Sequence, residues 1–231
     1  AIARGRRIAG RGRFRLAVHR RRTRAVREAG ALPLLQAVGA RCAPLVRVPA
    51  GEEVWIKKAL DIGAAGVIIP QVNTAEQALR VVRHCKYPPW GTRGVGIARA
   101  HRYGLGFSDY VAEANDGLAV IVQAEHIEAV HDIATIARVP GVDAVLIGPY
   151  DLSASMGKPG QITDPEVRGA IDTVRRECLA AGVRLGIFGL SAAVVRPYLS
   201  DGFTLITVGM DTVFLSQAAR AALADLTPPA D

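Results

Sequence analysis

A chain of 231 residues, half of them hydrophobic, can bury one large core without staples, which fits a single α/β barrel or doubly wound domain. Its net charge of +8 is unevenly spread: residues 1–30 hold 11 Arg against one Glu, a net of +10, so residues 31–231 come to −2. The body has no basic patch interleaved with aromatics, no helix-turn-helix or zinc-finger spacing and no apolar run long enough to span a bilayer. Its three cysteines, Cys42, Cys85 and Cys178, are too far apart in sequence for a metal cluster or disulfide framework. Specific nucleic-acid recognition and a membrane span are thereby excluded, and a reducing cytoplasm is the expected setting.

In chain order the anomaly comes first. "RLAVHRRRTRA", from Arg15 to Ala25, lies in a segment, residues 1 to about 30, that is expected to be poorly ordered and separate from a single catalytic domain over 31–231. A polybasic tail of this kind can hold phosphate backbones by counterion release, without sequence preference.

From residue 43 onward short runs of Val, Ile and Leu alternate with segments of helical period. The predicted strands are "PLVRV" (44–48), "GVIIP" (66–70), "LAVIVQA" (118–124), "AVLIG" (144–148), "VRLGIF" (183–188) and "TLITVG" (204–209). Asn73 and Thr74 followed by Glu76 and Gln77 form a capping-box-like helix start. Ile127, Val130, Ile133 and Ala137 fall on one helical face that Pro140 and Gly141 terminate. Asp164 and Pro165 open another helix, with Val167, Ile171, Val174 and Cys178 inward and Gly182 at its end. No glycine-rich phosphate fingerprint follows any strand, which disfavours a Rossmann fold. Strict alternation favours a (β/α)₈ barrel, so two further strands are expected in or before the first thirty residues.

Barrel chemistry sits at the C-terminal strand ends. Arg47 falls there in "LVRVP", Gln123 and Glu125 in "VIVQAE", and Asp151 in "VLIGPYD". Two carboxylates at successive strand mouths repel unless a hard cation lies between them, and oxygen ligands with room for water suit Mg²⁺ or Mn²⁺. The plainer readings are that Glu125 favours the positive start of the next helix, that Asp151 N-caps "LSAS", and that Arg47 pairs with Asp61 or Glu125. The loop "YPPWGTRGVGIARAHRYG" (87–104) is read as rim, with Arg93 either reaching an anionic group or solvated. His84, His101, His126 and His131 lack metal-like spacing, and His101 is the one to follow. Lys57 and Lys58 fall inside a helix, a poor place for a Schiff-base nucleophile.

"LVRVPAGEEVWIKKALDIGAAGVIIPQVNTAEQA", "YPPWGTRGVG", "VIVQAEHIEAV" and "GVDAVLIGPYDLSASMGKPG" resemble the HpcH/HpaI aldolase and citrate-lyase family, in particular its metal-dependent class II pyruvate aldolases of the 4-hydroxy-2-oxoheptanedioate aldolase kind. The likeness runs from about residue 31 to the C-terminus. It implies a TIM (β/α)₈ barrel of phosphoenolpyruvate/pyruvate-domain type, incomplete or distorted at the N-terminus, in a homo-oligomer, usually a hexamer. It further implies reversible aldol cleavage of a 4-hydroxy-2-oxo acid to pyruvate and an aldehyde. By resemblance, Glu125 and Asp151 hold Mg²⁺, Mn²⁺ or Co²⁺, and Arg47 stabilises the enolate. Asp61 assists the catalytic base, Gln123 lines the site, and backbone amides in the Gly148–Pro149–Tyr150–Asp151 turn hold the substrate carboxylate.

The family's histidine base, in an "Asp-x-Glu-His" element, is absent and belongs by position in the arginine-rich stretch. Legal codons for "RLAVHRRRTRA", read one base later, encode DWLFIDAEHA, a buried strand followed by that element. Residues 1 to about 30 are therefore expected to be a frame-shifted translation, unable to supply an inward apolar strand, and His19 is not expected to act as the base. The alternatives are a citrate-lyase-like enzyme acting on a coenzyme A thioester, and a non-catalytic barrel with a basic tail.

Overall fold

A computed structural model describes residues 16–19, 28–38 and 42–226. In chain order these form β1 (Leu16–His19), α1 (Glu28–Val38), β2 (Ala43–Arg47), α2 (Glu53–Asp61), β3 (Gly66–Ile69), α3 (Ala75–Cys85), a 3₁₀ segment (Arg99–Gly104), α4 (Phe107–Gly117) and β4 (Ala119–Ala124). There follow α5 (Ile127–His131), α6 (Ile133–Ile136), β5 (Ala144–Ile147), α7 (Pro149–Ser155), α8 (Pro165–Ala181), β6 (Arg184–Gly189), α9 (Ala192–Ser200), β7 (Leu205–Val208) and α10 (Asp211–Leu226).

The seven strands form one parallel sheet in sequential order, β1 to β7, curled with helices on its outer side. Each of the six predicted strands is present, with every end within one residue of its predicted bound. Side-chain parity explains why the strands read as continuous apolar runs. Val46, Val67, Ile69, Val120, Val122, Val145 and Ile147 face the helices in the larger core, while Leu45, Ile68, Ile121 and Leu146 form a second cluster on the concave side. Gly186 keeps that concave side open, because a Cβ there would lie 2.8 Å from the Leu146 side chain and 3.0 Å from Leu205.

Three expectations change. The arginine-rich stretch does supply a strand: the uncharged "LAVH" of β1 runs parallel to β2, with Leu16 opposite Ala43 and His19 opposite Val46. Ladder hydrogen bonds use backbone alone, so four uncharged residues are enough to add to an open parallel edge. The flanking arginines, and residues 20–25 of the stretch in which the Asp-x-Glu-His element was expected, lie outside the described residues, and no eighth strand is present among those described.

The helix predicted from Ile127 to Ala137 breaks at Asp132, where φ is −101° and ψ 7°. There the Asp132 carboxylate accepts from the Ala75 N–H at 2.7 Å and so caps α3, next to the expected Thr74 cap, which accepts from Gln77 N–H at 3.3 Å. Finally, the 87–104 loop runs from the end of α3, with the 3₁₀ segment at its close, to α4, the helix that leads into the start of β4, and Arg93 and Arg99 within it bond to Asp61 and Ile62 O at the end of α2. It therefore lies at the N-terminal end of the strands, opposite the rim where it was expected.

Candidate functional site at the strand C-termini

The concave parity that places Leu45 and Ile121 inward continues through Arg47, Gln123 and Glu125, so the apolar cluster ends in a polar mouth. Arg47, the last residue of β2, donates from Nε to Gln123 Oε1 at 2.8 Å and reaches Glu125 Oε1 with Nη2 at 3.4 Å. Glu125 is 1% exposed and Arg47 10%. The Gln71 backbone N–H donates to the same Glu125 oxygen at 3.1 Å. Of the two partners foreseen for Arg47, Glu125 is the one the fold supplies.

β5 delivers the next piece. Gly148 follows it directly, and a Cβ there would lie 2.9 Å from Gln123 Nε2 and 3.1 Å from Glu125 Oε2, so the absent side chain makes room for the two polar groups. Pro149 occupies the first helical position of α7, with Gly148 at its N-cap. Asp151 thus lies within the first turn and is half-buried rather than capping "LSAS", while Tyr150 is 63% exposed. The serines that follow serve structure. Ser153 Oγ donates to Tyr150 O at 2.7 Å and accepts from Gly160 N–H at 3.0 Å; Ser155 Oγ donates to Leu152 O at 2.7 Å and accepts from Ile127 N–H at 3.0 Å. Through them α7 is tied to the loop after it and to the start of α5.

Asp61 is not brought to this mouth. It closes α2, on the descent toward the start of β3, and pairs with Arg93 at 2.7 Å and Lys57 at 3.3 Å. Arg93 is neither solvated nor near the mouth. Its side chain is fully buried, stacked on Tyr87 at 4.6 Å from the ring centroid, with Tyr110 beyond at 5.9 Å. Burial opposes its charge, but Tyr110 and Asp61 outweigh that and hold its pKa above the ordinary arginine value. Asp61 and Arg93 thereby fasten the 87–104 loop to the end of α2.

The histidines divide the same way. His101 is buried within the loop, where Nδ1 accepts from Gly104 N–H at 3.2 Å and Nε2 lies 2.6 Å from Gly96 O. His84 Nδ1 lies 3.3 Å from Gly51 O, and His126 Nδ1 accepts from Glu128 N–H at 3.2 Å to start α5. Lys57 Nζ donates to Gly94 O, remote from the mouth. Two residues escaped sequence reasoning altogether. Lys86 is buried, donating to Asn115 O at 2.6 Å and Leu118 O at 3.0 Å; burial pushes its pKa down, against the pull of Asp143. Gln71 contributes through its backbone, which no residue pattern announces.

Among the described residues no group of three or more His, Cys, Asp or Glu could hold a metal ion. A closed, all-protein zinc centre is thereby set aside for those residues. The mouth offers a guanidinium, an amide and a buried carboxylate, with a second carboxylate three residues beyond Gly148. Such an oxygen-only pair fits a hard divalent cation that completes its shell with water and substrate oxygens, and it fits poorly with a thiolate- or imidazole-preferring ion. Arranged around a developing oxyanion, the guanidinium lowers its energy by charge-assisted hydrogen bonding.

Residues 17–218 match the HpcH/HpaI aldolase/citrate lyase family. The chain is 42% identical over 192 residues to the 4-hydroxy-2-oxovalerate aldolase of Rhodococcus jostii, covering 82% of this chain and 74% of that protein. It is 44% identical over 191 residues to the hydroxypyruvate/pyruvate aldolase of Chromohalobacter salexigens, covering 81% and 75%. The crystal structure of a family protein from Burkholderia cenocepacia superposes with a TM-score of 0.80 at 39% identity, covering 86% of this chain and 79% of that one. By its sequence match and its fold, the chain belongs to the HpcH/HpaI aldolase/citrate lyase family.

Proposed function

We propose that the protein is a divalent-metal-dependent carbon–carbon lyase that cleaves a 4-hydroxy-2-oxo acid reversibly to pyruvate and an aldehyde. One observation carries this reading: Arg47, Gln123 and Glu125 converge at the C-terminal ends of β2 and β4, the end at which parallel barrels do chemistry. The aldolase names of the relatives support it.

Glu125 and Asp151 would hold Mg²⁺ or Mn²⁺, with Co²⁺ as a further option. Such an ion, when bound, supplies Lewis-acid polarisation of a 2-oxo group. The chain's own residues do the rest. Backbone amides at Tyr150 and Asp151 take the substrate carboxylate, with Gly148 and Pro149 shaping the turn. Arg47 aims its guanidinium at the 2-oxo oxygen, and Gln123 holds that guanidinium in place. As the bond between C3 and C4 breaks, its electron pair passes into the enolate, the 4-hydroxyl gives up its proton to a base, and the aldehyde leaves. Protonation of C3 then yields pyruvate. The family element that would provide the base is expected within Arg15–Ala25, a stretch of which only Leu16–His19 are described. Asp61, fastened to Arg93, has no part in this constellation.

The parent architecture in this reading is a complete (β/α)₈ barrel, one strand beyond the seven described, in a homo-oligomer such as a hexamer. Phe214, Leu215 and Leu223, exposed along α10, support an assembly that covers them. No helix among the described residues is long and apolar enough to cross a membrane.

The test is pyruvate release from a 4-hydroxy-2-oxo acid with Mn²⁺ and with EDTA. Release that needs the cation and vanishes in Glu125→Ala and in Asp151→Ala supports the proposal; release that survives both substitutions overturns it.

A further inference from the structure

We propose that Gln71 is a positioning residue for Glu125 and acts through its backbone; the inference rests on the reading of Glu125 given above. Among the described residues only Gln71, Arg102 and Tyr103 adopt positive φ without being glycine. The latter two lie in the 3₁₀ segment at the far end of the sheet. Gln71, at φ 54°, is at the Glu125 end, two residues past β3. This conformation is disfavoured for a residue with a Cβ, glycine adopts it most readily, and asparagine next.

What the conformation achieves is visible in the hydrogen bonds. Pro70 has no N–H, so the first donor beyond the end of β3 is Gln71's own, and the left-handed turn directs it to Glu125 Oε1 at 3.1 Å. Arg47 Nη2 approaches that same oxygen at 3.4 Å. With Oε1 pinned from β2 and from the turn after β3, the carboxylate plane is set, and Oε2 is the oxygen that meets the space beside Gly148. The Gln71 side chain is exposed, so the strain is not repaid by its burial. Backbone strain that persists beside a buried carboxylate is the usual signature of a position that serves the site.

The experiment compares Gln71→Gly, Gln71→Asn and Gln71→Val, which all keep the N–H and differ in tolerance of positive φ, with Glu125→Ala as control. Two readouts are used on the full chain. One is Mn²⁺ affinity, which needs no turnover. The other is kcat and KM for oxaloacetate decarboxylation, which reaches the pyruvate enolate without removal of a hydroxyl proton. The expected order is Gly, Asn, Val, with Gln71→Val at least about tenfold weaker than Gln71→Gly in Mn²⁺ affinity and in kcat while KM changes less. Equal values across the series overturn the inference, as does a Gln71→Gly variant that falls as far as Gln71→Val, since the side chain would then be the working part. If Gln71→Val unfolds, the Gly-to-Asn comparison carries the same test. A Glu125→Ala variant with the parent's Mn²⁺ affinity overturns the reading of Glu125 itself, a different result from Gln71 variants that behave alike while Glu125→Ala binds nothing.

Discussion

Arg47 Nε bonds to Gln123 Oε1 at 2.8 Å although their strands, β2 and β4, are not neighbours: β3 lies between them. The bond is possible because the sheet curls and both residues point to its concave side. It makes the orientation of the guanidinium a property of three strands at once.

Arg47→Lys keeps a positive charge but loses the planar fork that serves Gln123 and Glu125 together. Pyruvate formation should fall by about 10²- to 10³-fold in kcat, the loss seen when one oxyanion donor is removed. Circular dichroism and the urea midpoint should remain close to the parent; steady-state kinetics beside an unfolding curve checks both.

Gly148→Ala places a methyl group 2.9 Å from Gln123 Nε2 and 3.1 Å from Glu125 Oε2. Either the two polar groups shift or the strand end does. Since Gln123 and Glu125 are side chains, they give first, and the loss should appear as weaker Mn²⁺ binding and lower kcat rather than as unfolding. A variant with parental Mn²⁺ affinity would show that the space beside Gly148 is not part of the site.

Asp61→Ala leaves the fully buried Arg93 guanidinium without its carboxylate. Removing one partner of a buried pair costs about 3–5 kcal/mol, and because Asp61 is 21% exposed the lower end of that range is expected. Thermal unfolding should therefore show a large drop, with turnover of the remaining folded protein little changed. The opposite pattern, stable protein with lost turnover, would return Asp61 to the catalytic machinery.

Burial raises the Cys85 and Cys178 thiols from 9.0 to about 12. A raised folded pKa means that the unfolded chain gives up these protons first. The stability they contribute is thus full below about pH 9 and is lost as pH climbs toward 12. The urea midpoint should hold steady from pH 7 to 8.5 and then decline, less steeply in a Cys85→Ala, Cys178→Ala double variant. Iodoacetamide at pH 8 should label the half-exposed Cys42 and leave the two buried thiols until the chain unfolds.

The nucleotide sequence across codons 1–31 decides the status of the arginine-rich segment. An independent read that restores DWLFIDAEHA in the region of Arg15–Ala25 makes the arginines an artefact, and the restored chain should gain pyruvate-forming turnover over the chain as written. A read that confirms the frame leaves the protein without the family's base, and aldol turnover should then be weak.

Local pattern alone placed β2 to β7 and the starts of α3 and α8, because apolar runs, N-caps and the glycine at 182 act within a few residues of one another. It also pointed to Arg47, Gln123 and Glu125, which the fold brings into contact, since strand-end position in an alternating β/α chain is itself a statement about where side chains gather. Tertiary structure decided the rest. That Arg47 takes Glu125 and Gln123 rather than Asp61, that Arg93 is buried at the opposite end, that Asp132 breaks its own helix to cap α3, and that Gln71 turns left-handed toward Glu125 all depend on contacts between residues far apart in sequence. Periodicity reports which side of an element is apolar. Which charged group meets which is settled only when desolvation makes an unpartnered charge too costly and the fold fixes the partner within reach.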